Sequence, residues 1–274
     1  MQGDSPIGVF DSGYGGLTIL SEIRKKLPDY DFLYLGDNAR APYGNRSFDI
    51  VYEYTLEAVK LLFSRGCHLV ILACNTASAK ALRTIQQQDL PLLDPSKRVL
   101  GVIRPSTEEI GQLTKSKHVG VLATEGTVQS QSYVIELQKF GPEITVNQQS
   151  CPLWVPLIES NEHFSEAGKN IILKDVSSLL AKDPKIDTII LGCTHYPLIH
   201  EFLTSIVSPK IQIISQGKIV ANKLEQYLLN HPELSDRCSK NSSVHFLTTE
   251  DSKIFNENAT RFLRNAVHAE TIHF

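Results

Sequence analysis

Val70-Ile71-Leu72-Ala73-Cys74-Asn75-Thr76 and Ile189-Ile190-Leu191-Gly192-Cys193-Thr194-His195 are two versions of one pattern: an apolar run, a small residue, a cysteine and a polar turn. Neither run alternates apolar with polar residues, as expected of strands covered on both faces. A second pair, Ile7-Gly8-Val9-Phe10-Asp11-Ser12 and Val119-Gly120-Val121-Leu122-Ala123-Thr124, stands at nearly the same offset. Two matches in register predict two related halves. Short apolar or β-branched runs at 7–11, 32–36, 69–73, 99–103, 119–123, 188–192, 211–215 and 244–247 read as strands. Helical patterns separate them. The clearest starts at Ser47 as N-cap and stops at Gly66 as the C′ residue, with Val51, Tyr54, Ala58, Leu61 and Leu62 on one face. The alternation predicts an α/β fold of two similar lobes, with mainly parallel sheets flanked by helices and the active site in the cleft between them.

Length agrees, since 274 residues exceed the roughly 150 of one typical domain. Pro-bearing stretches at 90–96 and 208–217 read as crossings between lobes. They predict a discontinuous first lobe, residues 1–97 plus 210–274, and a second lobe of 98–209. Charge is nearly balanced, with 27 Lys plus Arg against 30 Asp plus Glu, which argues against nucleic acid as a partner. The basic triplet Arg24-Lys25-Lys26 reads as a helix C-terminus rather than a patch. The opening MQGDSP carries an acid where a secretory leader needs positive charge. No run approaches the ~20 apolar residues of a membrane span, so a cytoplasmic protein with no membrane partner is expected. The five cysteines, at 67, 74, 151, 193 and 238, include no CxxC pair and leave one over from any disulfide set.

Cys74 and Cys193 each fall where a buried strand gives way to a polar turn and a helix, the end at which doubly wound sheets bind ligands. A thiolate there is favoured by free N–H groups and the helix dipole. One thiol on each side of a ligand suits inversion of a stereocentre: one base takes the α-proton from one face and an acid returns a proton to the other. With an ordinary pKa of ~8.5, a thiol reaches both states near neutrality. Asp11-Ser12-Gly13-Tyr14-Gly15-Gly16 ends a strand and opens a helix, where small residues let backbone N–H groups approach a carboxylate. It is neither GxGxxG nor a P-loop. Asp11 reads as a thiol's acid–base neighbour, an ammonium partner or an N-cap. His195 can tune Cys193, donate to a carboxylate or bind metal. Spacing alone makes Glu159 a surface residue, Ala41-Pro42-Tyr43-Gly44 a turn, and Asp37-Asn38 a strand-end cap. Cys67 and Cys151 read as packing, Cys238 as part of an exposed polar stretch, and Lys80 as lying on the outer face of the helix after Cys74.

At GVFDSGYGGL (8–17), YLGDNARAPYG (34–44), ACNTASA (73–79), VGVLATEGTV (119–128), CPLWVPLIE (151–159) and LGCTHYPL (191–198) the chain resembles the glutamate racemases of the cofactor-independent aspartate/glutamate racemase superfamily. The resemblance implies interconversion of L- and D-glutamate with no cofactor and no metal. It implies catalytic roles for Cys74 and Cys193, with Asp11 assisting Cys74, and Glu159 and His195 assisting Cys193. Substrate contacts are implied at Asp11, Ser12, Tyr43, Gly44, Asn75, Thr76, Thr194 and His195. It further implies a bacterial cytoplasmic homodimer that supplies D-glutamate for peptidoglycan synthesis, and, by family analogy alone, DNA gyrase inhibition. Ser215-Gln216-Gly217 stands where relatives often carry an Asp-containing turn, and Arg104 where many carry an acid. Two other readings stay open: an aspartate-preferring or broad-specificity racemase, and an amino-acid-binding regulator without turnover.

Overall fold

Strands form where the apolar runs predict them, because each run has helices to bury it on both sides. The computed structural model describes residues 5–263 and 265–274. The leader reading rests partly on residues 1–4, which lie outside them. A six-stranded sheet is built from β1 (Ile7–Asp11), β2 (Phe32–Gly36), β3 (Leu69–Leu72), β4 (Arg98–Gly101), β9 (Val244–Thr248) and β10 (Ala269–Thr271), in the order β10-β9-β2-β1-β3-β4. A four-stranded sheet follows from β5 (His118–Ala123), β6 (Thr145–Ser150), β7 (Thr188–Gly192) and β8 (Gln212–Ile214), in the order β6-β5-β7-β8. Every pairing is parallel.

The internal repeat is realised as topology. Within the first sheet the run β2-β1-β3-β4 has the same order as β6-β5-β7-β8. The strand pairs that carry the repeated motifs, β1 with β3 and β5 with β7, are the adjacent central pairs. In this winding the order reverses between those two strands, which opens a crevice at their carboxyl ends. Asp11 and Cys74 stand at the first such point, Thr124 and Cys193 at the second.

Each sheet has apolar cores on both faces. Ile7, Val9, Leu20 and Phe255 pack on one side of the first sheet, and Phe10, Val51, Leu62 and Val70 on the other. Trp154, Ile172, Leu191 and Tyr196 cover one side of the second, and Tyr133, Leu137, Val121 and Ile190 the other. The helix Phe48–Ser64 is capped as its sequence predicts. The Ile50 amide donates to Ser47 Oγ at 3.3 Å, and Gly66 takes φ 93°, a left-handed value that glycine adopts without strain. Arg24, Lys25 and Lys26 form the last turn of the helix Gly16–Lys26.

Several expectations need correcting. β4 hydrogen-bonds to β3, so residues 98–101 belong to the first sheet and not to the second lobe. Residues 90–93 form a helical turn whose Leu90 packs with Phe10, Val51 and Val70 against the first sheet. Likewise β8 pairs with β7, so 212–214 belong to the second sheet. The chain crosses between sheets after Gly101 and again after Ile214, each time once a strand is complete. Ile103, expected in a strand, opens the helix Ile103–Leu113. Cys238 is buried in the first core. Lys80 is buried at 7% exposure, because Gly126 of the second lobe lies against its ammonium group. Its Nζ donates to the Arg46 carbonyl at 2.5 Å and sits 4.7 Å from the centre of the Phe48 ring. Burial lowers its pKa. Among the described residues, no helix is long and apolar enough to cross a membrane.

Candidate active site

Cys74 is the residue after β3 and its neighbour, Ala73, and caps the short helix Asn75–Lys80 with its own sulfur, accepting from the Ala77 amide at 3.4 Å. Ser12 Oγ lies 3.4 Å from the same sulfur. Burial pushes the Cys74 thiol up to about 12, and the neighbouring Asp11 adds to the shift; the contacts with Ser12 and Ala77 pull the other way. Asp11, at the end of β1, is itself raised by burial, opposed by His195 and by the Gly16 and Gly13 amides. The Gly13 amide donates to its Oδ2 at 2.9 Å.

Cys193 follows β7 directly. Its sulfur lies 4.0 Å from Nδ1 of His195, whose Nε2 is 2.8 Å from Oε1 of Glu159. Burial alone would discharge this imidazole. Cys193 and Glu159 outweigh it and push His195 up to about 10, so it is an imidazolium at neutral pH. The Phe262 ring stands perpendicular to its ring, with centroids 5.6 Å apart.

The two half-sites touch. Thr194 Oγ1 donates to Asp11 Oδ1 at 3.4 Å, and Thr18 Oγ1 donates to the Thr194 carbonyl at 3.0 Å. Gly15 is a glycine because the lobes meet there: a Cβ would stand 2.2 Å from Thr194 Oγ1 and 2.5 Å from His195 Nδ1. Thr76 Oγ1 is 2.9 Å from Thr124 Oγ1, and the Gly126 amide donates to the Gly44 carbonyl at 2.7 Å. Cys74 and Cys193 are each 6% exposed, so both thiols are largely shielded from solvent. A hollow of about 230 Å³ lined by Tyr14, Glu159, Asn258 and Phe262 lies beside the His195–Glu159 pair.

The structure therefore gathers Asp11, Ser12, Cys74, Asn75, Thr76, Glu159, Cys193, Thr194 and His195 at the carboxyl ends of the two sheets. Tyr43 and Gly44 join from the loop after β2. The Tyr43 hydroxyl is committed to Asp37 Oδ2, so this turn can offer a ligand its backbone. Asn75 Nδ2 donates to Gln216 Oε1 at 2.8 Å and its Oδ1 accepts from the Tyr133 hydroxyl at 2.7 Å. Sequence reasoning passed over Tyr133, which stands in no motif, and had Gln216 as a departure without a role. Arg104 is exposed and pairs with Glu108 at 3.1 Å, away from this site. Among the described residues, no group of three or more His, Cys, Asp or Glu side chains is arranged to hold a metal ion.

Residues 18–224 match the family described as Asp/Glu/Hydantoin racemase. A glutamate racemase of Ruegeria sp. (strain TM1040) is 39% identical, over 96% of this chain and 98% of its own. The crystal structure of the glutamate racemase isoform RacE1 from Bacillus anthracis superposes with TM-score 0.89 at 32% identity, covering 98% of each chain. That of the Francisella tularensis glutamate racemase, solved in complex with D-glutamate, gives 0.85 at 31% identity over 100% of this chain and 98% of its own. With near-complete coverage in sequence and in fold, the chain belongs to the Asp/Glu/hydantoin racemase family and, within it, to the glutamate racemases.

Proposed function

We propose that this racemase interconverts L- and D-glutamate without a cofactor, using Cys74 and Cys193 as the two acid–bases. The observation that carries the reading is the pair of matching thiols. Each follows the same strand of a repeated sheet, and each has its own ionisable company: Asp11 for Cys74, His195 with Glu159 for Cys193. In one direction a thiolate takes the α-proton while the opposite thiol protonates the other face of the carbanion. In the reverse direction the two exchange roles. Cys74, held up to about 12, rests as the protonated thiol, the form that can return a proton to a carbanion, and Asp11 is the neighbour to which its proton can pass when it must act as a base. His195, with Nδ1 4.0 Å from the Cys193 sulfur and Nε2 on Glu159, is the group beside Cys193 that can relay a proton. The near-complete exclusion of water strengthens each of these interactions.

Ser12, Thr76 and Thr194, with the backbone of Tyr43 and Gly44, are the proposed groups that hold the glutamate carboxylates. Asp11 and His195 also contact the substrate, and Asn75 borders it. The same reading makes the protein a cytoplasmic homodimer supplying D-glutamate for peptidoglycan.

The test is exchange. In D₂O, with a chelator and no added pyridoxal phosphate, the enzyme should place deuterium at the α-carbon of glutamate. Folded protein that leaves the α-hydrogen untouched would sink the reading. Cys74→Ser and Cys193→Ser should each abolish full turnover, and either variant racemising at the wild-type rate would refute the pairing. Competition between glutamate and aspartate decides the substrate preference.

A further inference from the structure

Tyr133 lies on the helix Ser132–Phe140 of the second lobe and is completely buried. Its hydroxyl donates to Asn75 Oδ1 at 2.7 Å, one residue after Cys74. The edge of its ring meets Gly192, one residue before Cys193: a Cβ at Gly192 would stand 3.1 Å from Tyr133 Cε2. One rigid side chain therefore spans from one thiol-bearing turn to the other. Gln216 fixes its far end. Its Nε2 donates to the Tyr133 hydroxyl at 2.8 Å and to Ser106 Oγ at 2.9 Å, with the Val102 carbonyl sharing a hydrogen at 3.2 Å, while its Oε1 accepts from Asn75. Val102 and Gln216 lie at the two points where the chain passes between sheets. Every polar atom of this cluster is engaged and buried, the condition under which a polar network specifies a single geometry.

We propose that Tyr133, anchored by Gln216, is a positioning residue that sets the separation of the Cys74 and Cys193 turns. The inference rests on the two-thiol reading above. Aromatic rings resist compression and have few rotamers, so a ring wedged against Gly192 transmits the position of one turn to the other. Proton removal needs one thiol in place, but inversion needs both, on opposite faces of one α-carbon. A change in spacing should therefore harm inversion more than abstraction.

The test uses the full-length enzyme with each glutamate enantiomer in D₂O at low conversion. It compares deuterium entering the recovered substrate with deuterium in the inverted product. Tyr133→Phe removes the hydroxyl and leaves Asn75 and Gln216 each short of a partner. Gln216→Glu keeps an oxygen for Asn75 and loses the amide donor to Tyr133. Both should slow inversion on the order of 10- to 100-fold, the penalty typical of slight misplacement, and both should raise the ratio of exchange in substrate to inversion. Gly192→Ala crowds Tyr133 Cε2 at 3.1 Å, together with Ala123 Cβ at 3.0 Å, and should raise the ratio even if Tyr133→Phe does not fold. An unchanged ratio in the folded variants, whatever the rate, overturns the proposal, since loss of active protein lowers exchange and inversion together. Wild-type enzyme that fails to exchange at all would instead remove the two-thiol reading beneath it.

Discussion

The charge on His195 is set by its partners and not by its burial. Burial opposes it, and the contacts with Cys193 and Glu159 raise its pKa to about 10. Because this value lies above the ordinary 6.5, the imidazolium adds stability that is complete below about 6.5 and is lost as pH rises through about 10. Glu159→Gln should bring the alkaline fall of kcat to lower pH. The shift should be modest, because the Glu159 side chain is 37% exposed and partly screened. A pH–rate profile in both directions checks this, and an alkaline limb that stays put would show that Glu159 does not govern the imidazole. Lys80 carries a related lesson. Its place on the helix after Cys74 suggests an outer face, yet the second lobe covers that face.

Individual elements are tied down by carboxylates that no motif announces. Asp187, the residue before β7, accepts from Thr114 Oγ1 at 2.7 Å and from the Lys115 and Ser116 amides at 2.8 and 2.6 Å. Despite its partial burial these bonds hold its pKa down to about 2, from 3.8. The stability it lends is full above about 3.8 and is lost as pH falls through about 2. Asp187→Asn should therefore lower the urea midpoint at pH 7, and the gap to wild type should close between pH 4 and pH 2. A gap independent of pH would show that the charge is not what matters. Asp31 does the same for the first lobe, accepting from the Asn241 and Ser243 amides at 3.0 and 2.8 Å and joining β2 to the returning chain. The strands missed from sequence are edge strands. β6, TVNQQS, pairs on one side with β5 and is polar along most of its length, and β10 has three residues. Neither shows an apolar run, because an edge strand need not be buried on both faces.

For the whole molecule, the decisive fact is how closely the lobes meet over the thiols. Gly15→Ala should test it, since the added methyl would fall 2.2 Å from Thr194 Oγ1 and 2.5 Å from His195 Nδ1. Each lobe has its own pair of cores and should fold, but full closure would be blocked. Racemisation should drop roughly 100-fold with little change in melting temperature. Gly111→Ala is the control, because its Cβ would meet Ile144 Cδ1 at an ordinary 3.7 Å. Equal loss in both variants would mean that contact between the lobes at Gly15 is not what activity requires.

Most of the strands, the repeat and the two thiols were legible in the chain because they depend on local runs: strands buried on both faces are apolar throughout, and a turn after such a strand is polar. Cys238 was misread for the same reason, since its polar neighbours hide a side chain turned into the core. Where the chain changes sheets depends on which strand finds a hydrogen-bonding neighbour: β4 found its neighbour beyond the first Pro-bearing stretch and β8 inside the second. The role open to Tyr133 and Gln216 was invisible in one dimension, because it arises from side chains more than fifty residues from their partners. Local pattern dictates what a segment becomes. Contacts between segments distant in the chain decide what its side chains face, and here they brought Asp11, Cys74, Cys193 and His195 together.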